Sequence, residues 1–108
     1  MKGLQSLFCL IPFEASAAEV LQVRSSSLLE IGDRNRTYTV KLSCVDIDPK
    51  NEIEARDWLK SQLPRRKRVN LRPEGMRDNV LFARVVPFGT EKELGLGLVD
   101  AGLASFTC

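Results

Sequence analysis

Thr37-Tyr38-Thr39-Val40-Lys41-Leu42-Ser43-Cys44-Val45-Asp46-Ile47-Asp48-Pro49 carries the chain from a strand into a helix, and its pattern decides the fold. Tyr38, Val40, Leu42 and Cys44 alternate with Thr37, Thr39, Lys41 and Ser43. A period of two sends the first set to a core and the second to the polar face. Asp48 and Pro49 then read as N-cap and first helical residue. The aspartate accepts from a free amide of the first turn, and proline has no amide to lose there. Ala55, Trp58, Leu59 and Leu63 follow at helical spacing, with Glu52, Glu54, Arg56, Asp57 and Lys60 around the rest, until Pro64 ends the helix. Trp58 reads as a core anchor of that stripe.

Upstream, Ala18 to Arg24 is a first strand with Val20, Leu21 and Val23 apolar, and Ser27 to Ile31 a second. Ser25-Ser26-Ser27 is a polar turn or bulge between them, and Gly32-Asp33-Arg34-Asn35 a hairpin turn. Downstream, Val69 and Leu71 mark a fourth strand, Arg72-Pro73-Glu74-Gly75 a turn, and Val80 to Val86 a fifth strand. Thr90 with Glu93 three residues later reads as the capping box of a closing helix whose core side is Leu94, Leu98, Val99 and Leu103. Gly95 and Gly97 weaken that helix by about 1 kcal/mol each. The predicted fold class is mainly β with α. Three strands, a helix, two strands and a helix is the order of a five-stranded OB-fold barrel, with a helix between strands 3 and 4 and a C-terminal helix.

At 108 residues, 44% apolar and 28% charged, the chain is one globular domain of ordinary composition. The net charge of +2 argues no partner, but the charge is segregated. Lys60, Arg65, Arg66, Lys67, Arg68, Arg72, Arg77 and Arg84 face only Glu74 and Asp78 over the same span, whereas Asp46 to Asp57 holds five acidic residues and two basic ones. The absence of histidine removes Ser-His-Asp and Cys-His catalysis and HExxH zinc sites.

Residues 1–17 read as an export signal: Lys2 ahead of an apolar run from Leu4 to Phe13, then Ala15-Ser16-Ala17 as the cleavage pattern. A buried N-terminal strand or helix is the alternative. The apolar run is too short to span a bilayer. Residues 18–108 form the domain, which the signal would deliver outside the cytoplasm, to a periplasm, a thylakoid lumen or the medium. There Cys44 and Cys108 are an even pair able to bridge. Closing so long a loop is worth about 4 kcal/mol in the chain-entropy model. One buried thiol and one terminal thiol is the other arrangement.

Val40-Lys41-Leu42-Ser43-Cys44-Val45-Asp46-Ile47-Asp48-Pro49, Val99-Asp100-Ala101-Gly102-Leu103-Ala104 and Ala18-Glu19-Val20-Leu21-Gln22-Val23 together resemble the staphylococcal-nuclease family across residues 18–108. The chain is also similar to small exported nuclease-like proteins of cyanobacteria. The resemblance implies that barrel and, in active members, a calcium ion held by carboxylates, two arginines that neutralise the phosphodiester, and a glutamate that assists water. Asp46 matches one metal carboxylate. The Asp-Gly-Asp-Thr loop holding the other falls on Arg24-Ser25-Ser26-Ser27-Leu28. The first arginine falls on Lys41, which keeps the charge but not the bidentate fork. The glutamate's place falls on Pro49, with Asp48 or Glu52 as approximations. The second arginine falls near Phe82, with Arg84 two residues along.

Loss of a metal carboxylate and of phosphate clamps together removes most transition-state stabilisation. The resemblance therefore implies a non-catalytic, exported binding or structural module with no cofactor, engaging a protein partner or a larger assembly. The alternative is a divergent calcium-dependent nuclease using Lys41, Asp46, Asp48 and Arg84. Arg65, Arg66, Lys67, Arg68 and Arg72 form the candidate binding patch, open to nucleic acid, an anionic lipid surface or an acidic protein. A solvated basic turn is the plainer reading, because few aromatic residues remain to stack bases.

Overall fold

The computed structural model describes residues 18–108, so the export-signal reading of residues 1–17 lies outside the described residues. Strands β1 (Glu19–Val23), β2 (Leu28–Asp33), β3 (Arg36–Leu42), β5 (Val69–Arg77) and β6 (Val80–Pro87) form one mixed sheet in the order β1-β2-β3-β6-β5. Its one parallel pair is β3 with β6. Helix α1 (Glu52–Gln62) lies between β3 and β5, and α2 (Leu94–Asp100) follows β6. The short strands β4 (Val45–Asp46) and β7 (Ser105–Phe106) pair separately. The start of β1 also bonds to the residues that lead into β5. Val20 N–H donates to Lys67 O at 2.9 Å, Arg66 N–H to Val20 O at 2.6 Å and Val69 N–H to Ala18 O at 3.1 Å.

One core packs against the sheet. Leu29 and Ile31 of β2, Val40 and Leu42 of β3, and Ala83 and Val85 of β6 are spaced two apart and buried, as alternation requires. Ala55, Leu59 and Leu63 cover them from α1, and Leu94 and Leu98 from α2. In β1 the buried pair is Val20 and Val23, three apart, which a regular strand would send to opposite faces. A bulge at Leu21 resets the phase, since Val20 pairs with Ile31 while Gln22 pairs with Glu30.

Several sequence expectations need correction. The strand read through Cys44 stops at Leu42. Ser43 and Cys44 turn, with Cys44 at φ 68°, so that β4 can pair with β7. The turn expected at Arg72-Pro73-Glu74-Gly75 lies instead inside β5. This strand is at the sheet's edge, where proline's missing amide disrupts no ladder, and a bulge at Glu74 absorbs the irregularity. The hairpin turns at Asp78-Asn79, both at positive φ (52° and 66°), as a two-residue primed turn needs. The Thr90–Glu93 capping box does not form. Glu93 is itself the N-cap of α2 and makes no side-chain cap bond, while Thr90 Oγ1 accepts from Lys92 N–H at 2.8 Å. Asp48 does cap as expected, accepting from Lys50 N–H at 3.0 Å, but the first turn is a 3-10 segment, Pro49–Asn51.

Candidate functional site

Three segments distant in sequence meet where β1 turns into β2. The turn is Ser25-Ser26-Ser27, closed by Arg24 and Ser25 N–H groups donating to Leu28 O at 2.8 and 3.2 Å. Ser26 is buried, at 2% exposure, so its amide and hydroxyl need partners. Glu52, the first residue of α1, supplies both. One carboxylate oxygen accepts from Ser26 N–H at 3.0 Å and the other from the Ser26 hydroxyl. Ser27 Oγ accepts from Lys41 Nζ at 3.1 Å. Lys41 stands opposite Phe82 in the parallel β3–β6 register. The turn and Lys41 are thus brought together, and Glu52 clasps the turn.

The Ser26 hydroxyl, then its amide, hold the Glu52 carboxyl below the usual glutamate range, with smaller help from Arg56 and Lys41 against some desolvation. A carboxylate whose folded pKa is depressed contributes stability in full above its unfolded value and loses it as pH falls through the folded value. Glu52→Gln is expected to lower stability at neutral pH by about 1 kcal/mol, the scale of a charge-assisted hydrogen bond discounted for solvent. Urea titrations at descending pH check this. The gap between parent and variant should close below the glutamate range, and a gap independent of pH would show that the charge is not involved.

Asp46, Asp48 and Arg84 make no hydrogen bond or ion pair to this cluster among the described residues. Asp46 is exposed on β4 opposite Ser105. Asp48 is occupied by its capping bond. Arg84 lies 2.9 Å from Glu74 and 3.8 Å from Glu93. The Glu74 contact is an ion pair whose N–H points off the line to the oxygen, so the guanidinium Nε makes no hydrogen bond. Arg84 also faces Arg72 directly across β5–β6, a like-charge pair that these two glutamates offset.

Calcium takes about six to eight oxygens, with carboxylates prominent. The donors here are serine hydroxyls and one carboxylate already accepting twice from Ser26, beside an ammonium that repels a divalent cation. Among the described residues no three of Cys, Asp and Glu gather in a metal-holding group. These residues do not fit calcium, and no hydrolytic step runs through it. Sequence reasoning named Glu52 only as an approximation to a catalytic base. No local signal marks it as the partner of a serine 26 residues earlier.

The basic run is also rearranged by the fold. Arg65 donates to Leu21 O at 3.2 Å and Arg66 pairs with Glu19 at 2.8 Å, so both tie the α1–β5 loop to β1. Arg72 lines a depression with Glu91, Lys92 and Glu93, well apart in charge character from the run. Arg77 lies over the Phe82 ring, 5.2 Å from its centroid. Arg34, which sequence reasoning placed only in a polar turn, and Arg36, which it did not single out, line a depression with Arg66 and Arg68. Cys44 and Cys108 stand at disulfide distance, Cα atoms 5.0 Å apart. No helix among the described residues is long and apolar enough to cross a membrane. No protein-family model matches the chain, and no curated protein matches it either.

Proposed function

We propose that the protein is a non-catalytic, staphylococcal-nuclease-like domain that acts outside the cytoplasm as a binding or structural module, as one subunit of a larger assembly. The Ser26–Glu52 clasp carries the reading. The turn aligned with the family's metal loop is closed by internal hydrogen bonds, and the carboxylate nearest to it is consumed in making them. Arg84, the remaining candidate for a phosphate clamp, is engaged by Glu74 and Glu93. The OB-type barrel is supported by the bonds joining β1 to the start of β5, beside an isolated bridge between Glu19 and Arg68. An extracytoplasmic site is supported by the Cys44–Cys108 pair, since such pairs persist as bridges in oxidising compartments.

Single-stranded DNA incubated with the full chain and calcium is expected to remain intact, and Asp46→Ala to behave as the parent. Gel analysis over time checks it. Calcium-dependent cleavage that disappears in Asp46→Ala would establish the divergent nuclease instead.

A further inference from the structure

We infer that the α-amino group freed at Ala18 by cleavage of the Ala17–Ala18 bond forms an ion pair with the Asp33 carboxylate, so that processing completes the fold. The inference goes beyond the proposed function and takes from it only the route out of the cytoplasm.

Asp33 is a carboxylate without a counterpart. Leu29, Ile31 and Asp33 are spaced two apart on β2, so the carboxylate continues the face of a buried row. Its Oδ1 is buried with no hydrogen-bond partner, and Asp33 takes part in no ion pair among the described residues. A buried acceptor left unmatched is destabilising, and a charged one more so. Asp33 lines a depression of about 370 Å³ with Ala18, Tyr38 and Asn70 over apolar Leu71 and Leu81, and it is the only charged group among the described lining residues.

The sheet register supplies the donor. Glu19 pairs with Gly32 and Val20 with Ile31, so one further antiparallel step sets Ala18 beside Asp33. Opposed Cα atoms in such a ladder stand about 4.5–5.5 Å apart, which leaves an amine on one within reach of a carboxylate on the other. Ala18 is also fixed in place: it is buried, and its carbonyl accepts from Val69 N–H at 3.1 Å. Ala15-Ser16-Ala17 independently puts a cleavage pattern at the same bond, on criteria blind to Asp33. Cleavage by a peptidase is hydrolysis. Water adds across the amide, leaving a carboxylate on Ala17 and an amine on Ala18 that is protonated at neutral pH.

The neighbouring charges leave this pair open. Arg36 stands opposite Asp33 in the β2–β3 register, yet it and Arg34 line the depression shared with Arg66 and Arg68, and neither is within ion-pair distance of Asp33. The Glu19 carboxylate is taken by Arg66 at 2.8 Å.

Expression of the full chain in a secreting bacterial host tests the inference. Intact mass and N-terminal sequencing of the exported product are expected to give Ala18 as its first residue. Asp33→Asn should lower the melting temperature of that product by about 4–8 °C, the shift for losing one such pair in a domain of this size. In the uncut chain, made by cell-free synthesis without membranes and then oxidised, the same substitution should leave the melting temperature unchanged or raise it, because only an unmatched charge is removed. Acetylating the α-amine of the exported product at about pH 6.5, where lysines stay protonated, should match the effect of Asp33→Asn and add nothing to it. The inference is overturned if the exported product starts elsewhere, if Asp33→Asn acts equally on cut and uncut chains, or if acetylation has no effect. It is equally overturned if Arg36→Gln reproduces the Asp33→Asn loss, which would make Arg36 the partner. Failure of the functional reading looks different. A chain that stays uncut in the cytoplasm removes the extracytoplasmic reading together with this one, whereas calcium-dependent DNA cleavage removes the non-catalytic reading and leaves the amine pair standing.

Discussion

Cys108→Ser is expected to lower the free energy of unfolding by about 2–4 kcal/mol under oxidising conditions, the largest effect of any single change considered. The two cysteines are 64 residues apart in sequence, and cross-linking a loop of that length restricts the unfolded chain by about 4 kcal/mol in the chain-entropy model. The folded side is equally exposed to the loss. Strand β7 is only two residues long and is held by β4 and by Thr107 N–H donating to Cys44 O at 2.8 Å. A ladder so short is marginal in water by itself. Denaturant titrations with and without reductant check the effect. Reductant should bring the parent down to the level of Cys108→Ser and leave the variant unchanged. Free thiols at both Cys44 and Cys108 in the purified, air-oxidised protein, located by mass spectrometry, would remove the basis of the prediction.

Gly97→Ala is expected to destabilise the protein by about 1 kcal/mol net, although alanine is the better helix former by about that amount. A Cβ at position 97 would stand 2.6 Å from Cη2 and 3.2 Å from Cζ2 of Trp58. The indole ring is rigid, so either the ring or α2 must move, and overpacking of this kind costs about 1–3 kcal/mol. The sign should invert in a Trp58→Leu background, where the obstructing ring is gone and propensity alone acts, giving a gain of up to about 1 kcal/mol. Urea unfolding of the four proteins in that cycle decides the matter. Stabilisation by Gly97→Ala in both backgrounds would mean that the ring does not rest on α2.

These two sites also show how far the sequence could be read. Gly95 and Gly97 read from sequence as weak points in a helix. Position 95 abuts Val45, where a Cβ would come within 2.9 Å of Cγ1, and position 97 abuts Trp58. Glycine there permits close approach between α2 and its neighbours, and no local pattern announces a close approach. The stripe Ala55, Leu59 and Leu63 was legible because helical periodicity is local, and so was the alternation of Val40 with Leu42. The end of β3 was not. Cys44 continues the alternation and is buried as it predicts, yet the chain leaves the strand at Ser43 to reach the C-terminus. Proline and glycine at 73 and 75 read as a turn because the turn signal ignores whether a strand lies at an edge.

The candidate site divides the same way. Its residues were visible: the serines of the β1–β2 turn, Lys41 and Phe82. What those serines face was not visible, and neither was the meeting of Arg34 and Arg36 with Arg66 and Arg68. The sequence by itself determined the order of the five long strands and two helices, the buried faces of β3 and α1, the Asp48 cap and the separation of acidic from basic stretches. Each of these follows from period, cap chemistry or composition within a few residues. Tertiary structure alone decided that Glu52 clasps Ser26, that Arg84 is neutralised while Arg34 and Arg36 are not, and that the two glycines of α2 are contact points. Those outcomes depend on sheet register and on the bulges at Leu21 and Glu74, which set which distant side chains share one face.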